Sequence, residues 1–258
     1  MRPGDFFWYD VMTTDMAAAK AFYASVTGWS AQDVSTANLT YNSFNLEGRG
    51  VAGLMPMPDG APAGMRPAWL GYVLVDDVDA MAKRIVAEGG KLMRGPIDVP
   101  NIIRFAVVAD PQGAGFLIAK PHMAESFTPP PELDANTPGT FGWRELMAAD
   151  GPTAFPFYEK LFGWKKGDAV DMGPMGIYQL FNNGGENMGG MMTKPPQSPA
   201  PPHWGYYINV PAIDAAAAKV TAAGGTILNG PIQVPGGQWV VQCFDPLGAQ
   251  ISFVAPKR

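Results

Sequence analysis

The chain has 258 residues, of which 47% are hydrophobic and 16% charged, with a formal net charge of −5 and a pI of about 5.0. These values fit an ordinary globular protein. No Lys/Arg cluster or basic helical face is present, so no phosphate-neutralising surface exists for a nucleic-acid partner. One cysteine, Cys243, excludes an intramolecular disulfide and fits a reducing compartment. The N-terminus lacks a signal-peptide core, and no apolar run approaches the roughly 18 residues of a membrane span. A cytoplasmic protein with no membrane partner is therefore expected.

Residues 6–13, F-F-W-Y-D-V-M-T, are aromatic and β-prone and read as a strand. Alternation puts Phe6, Trp8, Asp10 and Met12 on one face and Phe7, Tyr9 and Val11 on the other. Thr14 or Asp15 caps a helix whose buried stripe is Ala19, Phe22, Tyr23 and Val26, and Gly28 ends it. Strands follow near 30–35, 40–46 and 51–56. The Pro/Gly-rich stretch at 55–67 reads as a connection. A second module opens with W-L-G-Y-V-L-V from Trp69. Asp76 and Asp77 precede its helix, and a shift of 61 residues superposes Asp15 on Asp76 and Gly28 on Gly89. Strands at 91–94, 102–109 and 115–119 complete it, with a D-P-Q-G hairpin turn at 110–113.

Residues 122–138 carry four prolines and read as an extended linker between domains at 1–121 and 139–258. The opening stretch then returns 135 residues on. Gly4, Phe6, Trp8, Met12, Asp15, Phe22, Tyr23, Gly28 and Trp29 match Gly139, Phe141, Trp143, Met147, Asp150, Phe157, Tyr158, Gly163 and Trp164. G-P-I-D-V-P (95–100) matches G-P-I-Q-V-P (230–235), and A-D-P-Q-G-A (109–114) matches F-D-P-L-G-A (244–249).

A strand-D-x(6)-F-Y-x(4)-G-W run, the V-D-D-V-D-A run at 75–80 and D-P-x-G before each domain's last strand occur in order over nearly the whole chain. This pattern resembles the vicinal oxygen chelate superfamily of glyoxalase, bleomycin-resistance and dioxygenase proteins, and most closely its tandem "glyoxalase-like" members. The resemblance implies an α+β fold of four βαβββ modules, forming two tandem domains whose curled mixed sheets surround cavities.

In metal-dependent members of that superfamily, His, Glu or Gln side chains on the first and last strands of each module hold a divalent ion. Carried over by register, those positions are Trp8, Leu70, Leu117 and a fourth-strand position near Ala52 or Gly53. In the second copy they are Trp143, Gly205, Ser252 and about Gly190. None offers the imidazole or carboxylate that such an ion needs. The two histidines, His122 and His203, do not complete a ligand set, so neither a metal nor another cofactor is expected.

If those positions point inward, residues two away do so too. The first cavity is then lined by Trp8, Asp10, Leu70, Tyr72, Leu74 and Leu117. The second is lined by Trp143, Glu145, His203, Tyr207, Asn209, Gln250 and Ser252. Trp8 and Trp143 can stack on a flat ligand, or simply fill the space of an absent metal. Asp10 and Glu145 can act as bases if an apolar pocket raises their pKa, or can point to solvent or pair with an Arg. His203 can act on a ligand beside Tyr207, or sit exposed at the strand mouth. Tyr72 and Tyr207 can donate to a ligand oxygen or pack with satisfied hydroxyls. No nucleophile triad, phosphate loop, dinucleotide fingerprint or zinc spacing is found.

The foremost expectation is a metal-free small-molecule binder for an aromatic or apolar ligand, as a monomer or homodimer. The candidate ligand-binding residues are Trp8, Asp10, Tyr72, Trp143, Asn209, Gln250 and Ser252. The first alternative is a metal-independent enzyme using Glu145, His203 and Tyr207 as catalytic residues. A metal-dependent lyase or dioxygenase and an interaction or regulatory protein with vestigial pockets complete the set.

Overall fold

The structure is a computed structural model that describes residues 1–37, 39–61, 64–122 and 133–258. Four modules of one strand, one helix and three strands follow one another. The first is β1 (Phe6–Thr13), α1 (Met16–Thr27), β2 (Ser30–Asp33), β3 (Asn42–Leu46) and β4 (Arg49–Pro56). The second is β5 (Ala68–Leu74), α2 (Val78–Ala87), β6 (Lys91–Val99), β7 (Ile103–Ala109) and β8 (Gly115–Pro121). The third is β9 (Phe141–Ala148), α3 (Gly151–Phe162), β10 (Lys165–Asp171), β11 (Ile177–Asn182) and β12 (Asn187–Thr193). The fourth is β13 (His203–Asn209), α4 (Ile213–Ala222), β14 (Thr226–Gln233), β15 (Trp239–Phe244) and β16 (Gln250–Ala255).

The strands form two eight-stranded mixed sheets, ordered β2-β3-β4-β1-β5-β8-β7-β6 and β10-β11-β12-β9-β13-β16-β15-β14. In each module the first strand pairs in parallel with the last. The other adjacent pairs within modules are antiparallel. This is the α+β arrangement of four βαβββ modules that the resemblance implies. Most of the expected linker, residues 123–132, lies outside the described residues.

Local chemistry sets the element ends. Asp15 caps α1 by accepting from the amides of Ala17 and Ala18. Its buried stripe is the expected Ala19, Phe22, Tyr23 and Val26. The α2 cap is Asp77, which accepts from Ala80, whereas the 61-residue shift superposes Asp15 on Asp76. The second module therefore enters its helix one residue later than the first. β6 runs five residues past the expected 94. Bulges at Leu92/Arg94 and Arg94/Ile97 absorb the Gly95-Pro96 step and let pairing with β7 resume. Phe6 departs from strict alternation with Trp8. Its ring packs on Trp164 and Trp204, inside an aromatic core.

By packing, the modules group as first with fourth and second with third, with changes at Phe7/Trp8, Trp69/Leu70, Trp143/Arg144 and Trp204/Gly205. In the first-and-fourth unit, Tyr23 sits among Phe22, Trp29, Phe44 and Trp69, and Tyr9 stacks on Phe141 at 3.8 Å. In the other unit, Tyr158 stacks on Trp164 at 5.3 Å, with Trp204 edge-on and Phe181 beyond. The Trp29 indole donates to the Gly139 carbonyl at 2.9 Å, and Trp164 donates to Gly4 at 2.8 Å. Gly4 and Gly139 take φ of 91° and 92°, a region that favours glycine. The repeated Gly and Trp are thus two ends of one contact, made once in each unit.

Candidate functional site

Two polar-aromatic clusters stand out on the strands that sequence reasoning marked, one in each chain half. In the first, Trp8 and Asp10 share a face of β1, and the Trp8 Nε1–H donates to Asp10 Oδ1 at 2.9 Å. Tyr41, just before β3, completes the cluster. Its hydroxyl donates to the same Asp10 oxygen at 2.6 Å and accepts from Trp8 Nε1 at 2.8 Å. Asp10 is buried. Burial above all, then the Asp10 charge and hydrogen bond, push the Tyr41 phenol far above its usual range, while the Trp8 donor acts the other way. The phenol is therefore a donor held against a carboxylate. Tyr41 was not foreseen, because nothing in a lone Tyr-Asn dipeptide points to Asp10, 31 residues away.

The second cluster lies on β13, β15 and β16. Tyr207, Val240 and Val254 form a buried group, with Trp143 and Val234 packed against it. Gln242 donates its amide to the Tyr207 hydroxyl at 2.8 Å, and Asn229 reaches Gln242 at 3.3 Å. Ser252 is buried opposite Tyr207 in the β13/β16 pairing. Gln250 shares its face at the start of β16. The structure thus brings together the predicted Trp143, Tyr207 and Ser252, and adds Gln242. The corresponding Tyr72 meets Phe7 and Phe105, with ring centroids 6.2 and 6.4 Å apart.

The remaining candidates stand elsewhere. Glu145 is buried on β9, opposite Gly190 of β12. His203 opens β13, and its Nδ1 lies 2.9 Å from the Pro201 carbonyl. Asn209 spends its amide nitrogen on the Ala135 carbonyl at 2.6 Å and Thr140 Oγ1 at 3.0 Å, which clasps β13 to the segment before β9. Cys243 is buried, and desolvation pushes its thiol up to about 12, which disfavours the thiolate that nucleophilic chemistry uses. A cleft of about 250 Å³, which sequence reasoning did not foresee, is lined by residues including Asp77, Met81, Arg84 and Phe162.

Both D-P-x-G turns also carry buried acids. Asp245 accepts from the Tyr23 hydroxyl at 3.0 Å, and Tyr23 accepts from Trp69 Nε1 at 2.7 Å. Asp110, Tyr158 and Trp204 repeat this at 2.9 and 3.1 Å. Desolvation holds both aspartates above the ordinary carboxylate value, against the backbone and tyrosine donors that lower it.

The family model described as "Glyoxalase/Bleomycin resistance protein/Dioxygenase superfamily" matches residues 6–118 and again 140–253. The chain belongs to this superfamily. It is 36% identical to "Putative glyoxylase CFP32" of Mycobacterium tuberculosis, over 99% of this chain and 96% of that protein. It is 30% identical to "Anthracycline biosynthesis protein DnrV" of Streptomyces peucetius, over 98% of this chain and 93% of that protein. Among solved structures, the Mn(II)-bound glyoxalase from Novosphingobium aromaticivorans superposes with a TM-score of 0.66 at 16% identity. That match covers 99% of this chain and 83% of the other, and speaks for the fold alone.

The residues here do not fit a divalent ion. Trp8 and Trp143 stand at the first-strand positions, and Gly53 and Gly190 face Asp10 and Glu145 on the fourth strands. Among the described residues no three His, Cys, Asp or Glu side chains gather to hold a metal. A divalent site needs several such donors brought together. Among the described residues no helix is long and apolar enough to cross a membrane.

Proposed function

We propose that the chain binds a flat aromatic small molecule without a metal ion. The observation that carries this reading is the Trp143 indole packed on the Tyr207, Val240 and Val254 surface, with the Gln242 amide and Ser252 beside it. Such a wall offers stacking area and a few directed polar groups, which is how small-molecule sites are commonly built. The name of the Streptomyces relative supports the ligand class, since anthracyclines are planar polycyclic aromatics.

The test uses anthraquinone-2-sulfonate as probe, with EDTA present throughout. Binding is read by quenching of tryptophan fluorescence and by the rise in melting temperature that a native-state ligand must cause. Trp143→Ala is expected to weaken binding about tenfold or more, equivalent to about 1.4 kcal/mol. Neither quenching nor a melting shift with the native chain would sink the proposal. Chromatography of the recovered probe separates binding from catalysis. Unchanged probe supports a binder, and conversion points to the acid/base enzyme reading built on Glu145, His203 and Tyr207.

A further inference from the structure

The sequence repeat slips by two residues inside the first and third modules, and the slip conceals a second pair. Trp8 and Trp143 are 135 residues apart, but the strand partners of the two acids, Gly53 and Gly190, are 137 apart. At the same 137-residue spacing, Tyr41 matches Tyr178 and Phe44 matches Phe181. Both phenylalanines are fully buried.

The glycines show why the match matters. A Cβ at Gly53 would collide with the Tyr41 hydroxyl and Asp10 Oδ1. A Cβ at Gly190 would collide with the Tyr178 ring and lie 2.6 Å from its hydroxyl oxygen. In both domains a tyrosine from the neighbouring strand region crosses a position that must lack a side chain. At Gly53 the hydroxyl is nearest, whereas at Gly190 the ring carbons are. The Tyr178 hydroxyl therefore sits further past its glycine, and the acid in that domain is longer by one methylene.

We infer that the Tyr178 hydroxyl donates to Glu145 as Tyr41 does to Asp10, and that these two tyrosine–carboxylate pairs occupy the place of the metal in this chain. A charge-assisted O–H···O⁻ bond needs no cation to hold the carboxylate, and the tyrosine fills the room that a fourth-strand ligand side chain would take. The pair presents phenol and carboxylate oxygens instead of a Lewis acid. It suits a ligand group that donates a hydrogen bond, such as a phenolic hydroxyl or an N–H. The tyrosine–carboxylate pairing is independent of the aromatic-wall reading, because it is tested with no organic ligand present, whereas the replacement of the metal rests on that reading's metal-free premise.

The experiment is a double-mutant cycle on the full chain, read by urea unfolding, with Tyr178→Phe, Glu145→Ala and the double variant. Tyr178→Phe removes one hydroxyl and keeps the ring. Its effect on stability in the Glu145→Ala background is expected to be about half or less of its effect in the native chain. Additive effects would overturn the pairing. If Glu145→Ala does not fold, tyrosine labelled with carbon-13 at Cζ supplies the readout. The Tyr178 resonance is expected to move in Glu145→Gln, as the Tyr41 resonance moves in Asp10→Asn, and a Tyr178 resonance that stays put overturns the pairing. For replacement of the metal, Mn(II) and Zn(II) are added to EDTA-stripped protein. No saturable change in the unfolding midpoint is expected, and a one-to-one saturable increase that Tyr41→Phe or Tyr178→Phe alters would overturn that half.

Discussion

Asp245 divides its two carboxylate oxygens between different jobs. Oδ1 accepts from the amides of Leu247 and Ala249 and so shapes the D-P-L-G turn, while Oδ2 takes the Tyr23 hydroxyl. Those donors favour the charged form, yet burial outweighs them and raises the pKa above the ordinary 3.8. Below the unfolded value both states are protonated, and the group adds no pH dependence. As pH climbs from there through the folded value, the unfolded chain ionises first, so stability is lost, and above the folded value the loss is constant. Asp245→Asn keeps an acceptor and removes the titration. Native stability relative to Asp245→Asn is therefore expected to fall with rising pH across that window and then level off, measured by urea unfolding at a series of pH values. A rise across the same window would show that the donors, not desolvation, dominate.

At the scale of elements, one motif does two different things. Asp15 and Asp150 are equivalent in the repeat, and both precede helices with nearly the same backbone, at φ −142° and −143°. Asp15 caps α1 through its side chain, whereas the Asp150 carboxylate makes no capping bond. The start of α3 is held by other groups. Thr193 Oγ1 accepts from the Gly151 amide, and the Gln112 side chain bonds both the amide and the carbonyl of Asp150. Asp15→Ala is expected to cost about 1 kcal/mol. Asp150→Ala is expected to cost under about 0.5 kcal/mol, as for a surface change that breaks no cap. Chemical denaturation of the two variants measures both, and equal losses would contradict the assignment. The sequence marks both aspartates alike, because capping potential is local. Which one caps depends on Thr193 and Gln112, which lie some 40 residues away in either direction.

At the scale of the whole molecule, the repeat is held together by exchange. Tyr23 of the first module finds its acid in the fourth, at Asp245, and Tyr158 of the third finds its acid in the second, at Asp110. Trp29 and Trp164 reach across the halves in the same way, to Gly139 and Gly4. Residues 1–121 and 139–258 expressed separately would leave these four contacts unmade, with large aromatic faces uncovered. Each half alone is expected to melt at lower temperature and with less cooperativity than the full chain, and mixing the halves is expected to restore a single transition. Circular dichroism and tryptophan fluorescence measure this. A half that melts on its own like the full chain would show that each domain is self-sufficient.

Much of this protein is determined by local pattern and its recurrence. Strand alternation, helix stripes, glycine ends and the 135-residue repeat define four βαβββ modules, and the motifs on them carry the resemblance to the superfamily, because these signals depend on neighbours a few residues apart or on a spacing that can be counted. They also place Trp8, Asp10, Trp143, Glu145 and Tyr207 on the right strands. Tertiary structure decided what those residues touch. Tyr41 meets Asp10 and Gln242 meets Tyr207 only because strands distant in sequence lie side by side. The two-residue slip kept Tyr178 out of register with its counterpart, and module exchange gave Tyr23 and Tyr158 their acids. A hydrogen bond acts over about 3 Å in space and is blind to separation along the chain. The sequence names the groups, and only the fold settles which of them become partners.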